Sequence, residues 1–353
     1  MTTHEFYIKR CIELAKNGLG TTYPNPLVGS VIVHNNQIIG EGWHRKAGEP
    51  HAEVNAVNSV KDKSLLKDAT IYVTLEPCSH FGKTPPCCDL IIANKIPNVV
   101  IGTVDPFAKV AGNGIKRLIE SGKNVTIGVL EEECNELNKR FFTFHQKKRP
   151  YVVLKWAETS DGFIAPKKIL KQVQHDKLAP VWITNPYSRQ LVHKWRTEEQ
   201  AILVGTNTVL EDNPKLDARD YKGNNPIRIV LDKSGKISEQ YNVKDATQKT
   251  IFITESKKFT STENCIYENT IFENSLAHSI LNILYENNIQ SVLIEGGTTT
   301  LQTFINEGLW DEARIFNGNV KFQDGIKAPK LIGKNFSRFD IMDDHLNIIR
   351  NYD

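Results

Sequence analysis

Hydrophobic positions in the first half of the chain switch repeatedly between a helical period and short continuous runs. From Glu5 to Asn17, the residues Phe6, Ile8, Cys11, Ile12, Leu14 and Ala15 recur at near-helical spacing and stop at Gly18, which predicts an amphipathic first helix. After the turn-forming TTYPNP, Val28 to Val33 and Gln37 to Gly42 read as two strands joined at Asn35-Asn36, a hairpin signal. A helix beginning near His51, a buried-strand run from Ala69 to Leu75 and a helix after Cys87 follow. Then come an apolar run from Asn98 to Val104, a helix marked by Ile115, Leu118 and Ile119, and a strand from Val125 to Val129. Strands alternating with helices predict a layered α/β domain.

The basic, apolar-poor segment His145 to Pro150 breaks this rhythm and divides the chain into domains at 1–146 and 147–353. Tyr151 to Trp156 then reads as a strand, Pro186 to Trp195 as a helix, and Ala201 to Val204, Ile227 to Leu231 and Ile251 to Thr254 as strands. Leu276 to Tyr285 is helical in pattern, Ser291 to Ile294 strand-like, and Thr300 to Asn306 helical again. No internal repeat is visible, so the two halves are different domains, and the polar stretch at 167–177 reads as an inserted surface loop.

Length agrees with two domains: 353 residues stand against roughly 150 per domain. A net charge of +3, from 44 basic and 41 acidic residues, is too balanced to argue for nucleic acid or an anionic membrane as a partner. No run approaches the about 18 apolar residues of a spanning helix, and MTTHEFYIKR lacks the apolar region of a signal peptide. The expectation is a soluble cytoplasmic protein, whose state of homo-oligomerisation the sequence leaves open. Cysteines at 11, 78, 87, 88, 134 and 265 scatter irregularly, against a disulfide framework.

Chemistry concentrates between Glu49 and Leu90. Zinc prefers His nitrogen and Cys thiolate, and a catalytic site keeps three protein ligands and an open fourth position. His51, Cys78 and Cys87 supply three ligands, and Glu53 supplies a carboxylate to move protons. Two residues on a helix span about 200°, so His51 and Glu53 share a site only if it lies over the first turn, with His51 at the helix entrance. Pro50 agrees with a helix start there. A thiol opening a helix after Pro85-Pro86 has a lowered pKa, which favours the thiolate zinc needs. Cys88 points elsewhere on that helix, and His80 reads as a loop histidine rather than a fourth ligand. In the second half, a strand ending in Glu295-Gly296-Gly297 and opening a helix presents backbone N–H groups suited to a phosphate.

PNPLVGSVIV, GEGWH, AGEPHAEVNAV, YVTLEPCSHFGKTPPC and the DP…VAGNGI run resemble the deaminase half of the bifunctional riboflavin-biosynthesis deaminase/reductases. LKWAETSDGFIA, WIT, VGTNTVLEDNPKL and LIEGGTTTL resemble the reductase half, and the matches follow the family's order over nearly the whole chain. The resemblance implies a cytidine-deaminase-like three-layer α/β/α domain followed by a dihydrofolate-reductase-like α/β domain. It also implies removal of the 2-amino group of a phosphoribosylated diaminopyrimidine, then NADPH-dependent reduction of the ribosyl group to ribityl. Carried over residue by residue, His51, Cys78 and Cys87 hold one Zn2+, and Glu53 shuttles protons. Zinc deaminases with a non-ligand Glu are a known mechanistic class. The nine positions from Cys78 to Cys87 match the riboflavin branch rather than base deaminases. Asn25, His44, Lys83 and Asp105 lie in segments implied to contact substrate, Lys83 as a point charge for its phosphate.

For the reductase, the resemblance places NADPH on Ala157, Trp182, Thr184, Thr208, Asp212 and the loop Gly297, Thr298, Thr299, Thr300, Leu301, Gln302 and Thr303. It places substrate on Arg196, Leu216, Arg219 and Glu295, the two arginines facing phosphate with their two-pronged guanidinium groups. Two positions depart from the family pattern. Pro180 stands where a substrate-contacting Ser is usual, and Lys233 where a cofactor-side Ser is common. Other readings are a deaminase with an impaired reductase half, a structural zinc domain, and a nucleic-acid base deaminase. A structural site would be closed by four ligands and leave Glu53 unexplained. A nucleic-acid enzyme would need a basic channel with stacking aromatics, which the near-neutral charge does not supply.

Overall fold

The computed structural model describes residues 1–81, 85–106, 112–166, 181–333 and 335–351, in two compact units, Met1–Lys148 and Arg149–Asp353. The inserted loop at 167–177 and Pro180 lie outside the described residues.

In the first unit, helix α1 (Thr3–Ala15) starts in a capping box: the Thr2 hydroxyl accepts from the Glu5 amide while the Glu5 carboxylate accepts from the Thr2 amide. Strands β1 (Gly29–His34) and β2 (Gln37–Trp43) form the expected hairpin. Its turn residues Asn35 and Asn36 have φ of 49° and 60°, left-handed values that asparagine tolerates and a tight two-residue hairpin requires. Helix α2 (Ala52–Ser59), β3 (Thr70–Leu75), α3 (Cys87–Ala93), β4 (Asn98–Thr103), α4 (Asn113–Glu120), β5 (Asn124–Ile127), α5 (Glu131–Leu137) and α6 (Lys139–Lys147) follow. The boundary expected between residues 146 and 147 falls inside α6, and the compact units divide two residues later.

The first sheet has the order β2-β1-β3-β4-β5, antiparallel from β2 to β3 and parallel from β3 to β5. Alternating side chains bury both faces. Ile71, Val73, Val99 and Ile101 pack with residues of α2, α3 and α4, and Tyr72 and Val100 pack on the other side with α1 and α5. Those are the three layers of a cytidine-deaminase-like domain. Each fully buried aliphatic side chain contributes roughly 1.5–3 kcal/mol.

The second unit is a nine-stranded sheet built from β6 (Tyr151–Thr159), β8 (Ala201–Gly205), β9 (Ile227–Leu231), β10 (Thr250–Thr254), β11 (Cys265–Asn269), β12 (Ser291–Ile294), β13 (Glu312–Gly318), β15 (Asn335–Ile341) and β16 (Asp344–Arg350). Its order is β11-β10-β9-β8-β12-β6-β13-β16-β15, parallel as far as β13 and closed by the antiparallel hairpin β15-β16. Strand β7 (Phe163–Pro166) pairs separately with β14 (Gly325–Lys327). Helix α7 (Pro186–Glu198) packs Val192 and Trp195 on Val153, Leu293 and Phe316. Helices α9 (Leu276–Glu286) and α10 (Thr298–Asn306) cover the opposite face over Val152, Leu154 and Ile294. A short helix α8 (Thr206–Asp212) follows β8. This is the dihydrofolate-reductase-like arrangement, and its C-terminal strand ends form the edge where doubly wound α/β sheets bind ligands.

Candidate active sites

Strand β3 delivers Cys78, and the first turns of α2 and α3 deliver the other two ligand-type groups. His51 is the N-cap of α2 with φ of −69° and ψ of 166°, the entrance position that the His-x-Glu spacing requires. Cys87 opens α3 directly after Pro86. The three ligand atoms lie within 4.8 Å of one another, with His51 Nδ1 3.6 Å from Cys78 Sγ and 3.3 Å from Cys87 Sγ. In tetrahedral coordination with zinc–sulfur and zinc–nitrogen bonds of roughly 2.3 and 2.0 Å, such atoms stand about 3.5 Å apart. Donor type, number and spacing therefore fit zinc.

Electrostatics fit as well. The Cys78 thiol is lowered by its hydrogen bond with Cys87 and by His51, against the effect of burial. The Cys87 amide also donates to Cys78 Sγ at 3.3 Å. His51 is raised, chiefly by Cys78. Glu53, 3% exposed on the first turn of α2, has its pKa raised by burial and then by the charge of Cys78. It is a buried carboxyl group against the cluster.

The flanking loop is tied to the same cluster. Asn25 Nδ2 is 3.0 Å from His44 Nε2, and His44 Nδ1 is 3.2 Å from the carbonyl of Pro50, the residue before His51. The His44 and His51 rings meet edge to face at 5.4 Å. His44 is buried, and burial lowers its pKa. Asn138, buried where α5 meets α6, exchanges two hydrogen bonds of 2.8 and 2.9 Å with the backbone of Leu27 and so fixes the strand-side end of the Asn25 loop. Its partner lies 111 residues away, so no local pattern signals it. Asp105 follows β4 and is buried, while Lys83 lies outside the described residues.

In the second unit the expected residues gather along the C-terminal ends of four neighbouring strands, β8, β12, β6 and β13. The turn between β8 and α8 and the turn between β12 and α10 lie close, each glycine backbone against a threonine side chain of the neighbouring helix. A Cβ on Gly205 would stand 2.7 Å from Thr300 Oγ1, and one on Gly296 2.9 Å from Thr208 Oγ1. Gly297, the N-cap of α10, has φ of 67° and ψ of 133°. The side chains of this loop are engaged within the chain. Thr298 Oγ1 donates to the Lys327 carbonyl, Gln302 Nε2 to the Lys330 carbonyl and Thr303 Oγ1 to the Thr299 carbonyl. Leu301 belongs to the hydrophobic core. The backbone N–H groups that open α10, ahead of the Leu301 amide that bonds back to the Gly297 carbonyl, form a cradle suited to a phosphate-bearing cofactor.

Ala157 lies near the end of β6 opposite Phe316, and Trp182 and Thr184 enter α7 beside the end of β13, where a Cβ on Gly318 would meet the Ile183 carbonyl at 2.1 Å. Arg189, missed in the sequence, stacks 4.4 Å over the exposed Trp182 ring and donates to the Thr184 carbonyl at 2.7 Å. Asp212 ends α8.

The expected substrate positions form a charged group. Arg196 grips Glu295 through two hydrogen bonds of 2.8 Å and donates a third, 2.9 Å, to the Asp217 carbonyl. Its two-pronged face, expected to meet phosphate, is turned to a carboxylate of its own chain. Lys155 adds a second cation 3.7 Å from Glu295. Burial works to raise the Glu295 pKa, but Arg196 and Lys155 overcome it and hold the carboxyl at about 2. Burial lowers Lys155, a lysine whose place inside the apolar run YVVLKW was the one local sign of this network. Arg219, half-exposed, pairs with Asp217 at 2.5 Å. Leu216 is buried with φ of 55°, strained for a leucine. Lys233 pairs with Glu255 at 3.5 Å.

Fold and sites together define a metal-dependent deaminase joined to a dinucleotide-dependent reductase. Residues 1–103 match the cytidine and deoxycytidylate deaminase zinc-binding region, and residues 150–334 match the RibD C-terminal domain. The riboflavin biosynthesis protein RibD of Aquifex aeolicus is 39% identical over 339 residues, covering 95% of this chain and 89% of that protein. RibD of Escherichia coli is 36% identical over 349 residues, covering 93% and 88%. Among solved structures, the diaminohydroxyphosphoribosylaminopyrimidine deaminase/5-amino-6-(5-phosphoribosylamino)uracil reductase of Thermotoga maritima superposes with a TM-score of 0.87 at 39% identity over 99% of both chains. Acinetobacter baumannii RibD gives 0.86 at 30% identity, also over 99% of both. The chain belongs to the RibD family of bifunctional riboflavin-biosynthesis deaminase/reductases.

Proposed function

We propose that this chain performs two consecutive steps of riboflavin biosynthesis. The first unit deaminates 2,5-diamino-6-(5-phosphoribosylamino)pyrimidin-4-one hydrolytically, and the second reduces the ribosyl group of 5-amino-6-(5-phosphoribosylamino)uracil to ribityl with NADPH. The observation that carries this reading is the three-ligand cluster of His51, Cys78 and Cys87 with the buried Glu53 against it. Bound zinc supplies Lewis acidity that makes water a nucleophile near neutral pH. Glu53 takes the proton that the attacking water loses and returns it to the departing amino nitrogen, so that the carbon–nitrogen bond breaks as ammonia leaves. Asn25, held by His44, and Asp105 orient the pyrimidine, and Lys83 meets its phosphate.

In the second unit the loop Gly297–Thr303, through the N–H groups that open its helix, with Ala157, Trp182, Thr184, Thr208 and Asp212, would hold NADPH, the hydride donor. Arg196 and Glu295 act as one rigid pair that shapes the substrate pocket, beside Leu216. Of the two expected arginines, Arg219 is the more exposed although paired with Asp217, so it is the one assigned to the substrate phosphate. The partners are small phosphoribosylated pyrimidines. A cytoplasmic setting is supported by six cysteines of which none is paired in a disulfide, and no helix among the described residues is long and apolar enough to cross a membrane. The test is an assay of the purified chain with diaminopyrimidine substrate and NADPH, following ammonia release and NADPH oxidation alongside zinc content. Zinc with neither signal would sink the enzyme reading.

A further inference from the structure

One buried carboxylate beside the metal cluster has no part in the chemistry above. Glu76 lies between the end of β3 and Pro77-Cys78, and it is 4% exposed. Its Oε1 accepts the backbone N–H groups of Gly114 at 2.8 Å and Ile115 at 3.3 Å. Its Oε2 accepts those of Gly112 at 3.0 Å and Asp105 at 3.3 Å. Four backbone donors from two stretches of chain, the start of α4 and the end of β4, thus converge on one side chain. Buried amides need such acceptors, and leaving one without is destabilising.

The start of α4 in turn lies against the turn that carries Cys78. A Cβ on Gly114 would stand 2.1 Å from the Pro77 carbonyl oxygen, so the backbones touch. Cys88 Sγ bonds both the Pro77 carbonyl at 3.2 Å and the Gly114 carbonyl at 3.5 Å. Arg117, one turn further along α4, donates to the Ser79 carbonyl at 3.4 Å and pairs with Asp89 of α3 at 2.6 Å. The residues on both sides of Cys78 are therefore held by α4. Proline fixes one of the few torsions between Glu76 and Cys78, so the direction of the thiol follows the setting of Glu76 closely.

We propose that Glu76 is a positioning residue of the deaminase site: by clamping the start of α4 and the amide of Asp105 it fixes the Pro77-Cys78-Ser79 turn, aims the Cys78 thiolate at the metal and sets Asp105 at the substrate. The inference rests on the assignment of Cys78 to zinc. Partners of metal ligands that orient them typically change metal affinity by about 10- to 100-fold when removed.

The experiment compares the full-length parent with Glu76→Gln, which keeps the size of the side chain but turns an NH2 group towards two of the four amides. Zinc release to a chromogenic chelator is the main readout, with the thermal midpoint of the zinc-free protein measured beside it. The expected result is zinc release faster by about 10- to 100-fold, a raised KM for the diaminopyrimidine, and parental NADPH oxidation on ready-made deaminated substrate. Gly114→Ala keeps the carboxylate but sets a methyl group against the Pro77 carbonyl, and it is expected to speed zinc release in the same direction. If Glu76→Gln does not accumulate folded, Gly114→Ala decides by the same measurement. A lower zinc-free midpoint with zinc release and KM at their parental values shows a purely stabilising role and overturns the inference. A parent that holds no zinc overturns this inference together with the functional reading. A parent that holds zinc and deaminates, beside variants with unchanged release, overturns this inference alone.

Discussion

Glu53 and Glu295 are both buried carboxylates, yet their surroundings push them in opposite directions. Burial and then the charge of Cys78 raise the Glu53 pKa, with His51 working against them. That suits a group that must bind and release a proton in each turnover. Glu53→Gln keeps the shape and loses the exchange: zinc content stays at the parental level, ammonia release falls by about 10²- to 10⁴-fold, and NADPH oxidation on deaminated substrate is unchanged. Glu295, held at about 2 by Arg196 and Lys155, is a fixed charge. Its folded pKa is depressed below the unfolded value of about 4.3. Its contribution to stability is therefore complete above that value and is lost as pH falls through the interval towards 2. At neutral pH, Glu295→Gln leaves two buried cations without their partner and costs about 3–5 kcal/mol. Denaturant unfolding across a pH series is expected to show that gap narrowing as pH falls through this interval.

At the scale of elements, the loop that opens α10 depends on a conformation that side chains resist. Gly297 combines φ of 67° with ψ of 133°, a region that costs other residues roughly 1–3 kcal/mol. Gly297→Ala is expected to raise the KM for NADPH well above any change in kcat and to leave ammonia release untouched, as steady-state kinetics of the two half-reactions would show.

Elements built on continuous apolar runs or strong end signals were legible in the chain. Strands β9 and β12 occupy the expected Ile227–Leu231 and Ser291–Ile294, and α3 begins at Cys87 after its prolines. Helices α5, α6 and α8 escaped notice, because seven to nine residues with few apolar positions show little periodicity. Strands β13, β15 and β16 escaped too. β13 interleaves Glu312 and Arg314 with its apolar residues, and these two charges bury themselves by pairing at 2.6 Å. The metal cluster could be read because His51 and Glu53 are two residues apart and the cysteines follow one strand. Glu76, Asn138 and the pairing of Arg196 and Lys155 with Glu295 could not, since each takes its meaning from partners that only the fold supplies.

For the whole molecule, the two units carry separate cores and separate ligand-type residues, so their activities are expected to part under chelation. Prolonged dialysis against a strong zinc chelator should abolish ammonia release while NADPH oxidation on deaminated substrate continues. Simultaneous loss of both would contradict independent sites.

The position of β6 has a consequence for synthesis of the chain. It is the first strand of the second unit to be made, yet it pairs with Ser291–Ile294 on one side and Glu312–Gly318 on the other. The first unit has all its strands by Ile127 and can close as it leaves the ribosome. Tyr151–Leu154, a buried apolar run in the finished sheet, must wait until Ser291–Ile294 is made before either neighbour exists. That interval, with an apolar edge exposed and its partners unmade, is when the nascent chain is most exposed to aggregation and to capture by chaperones.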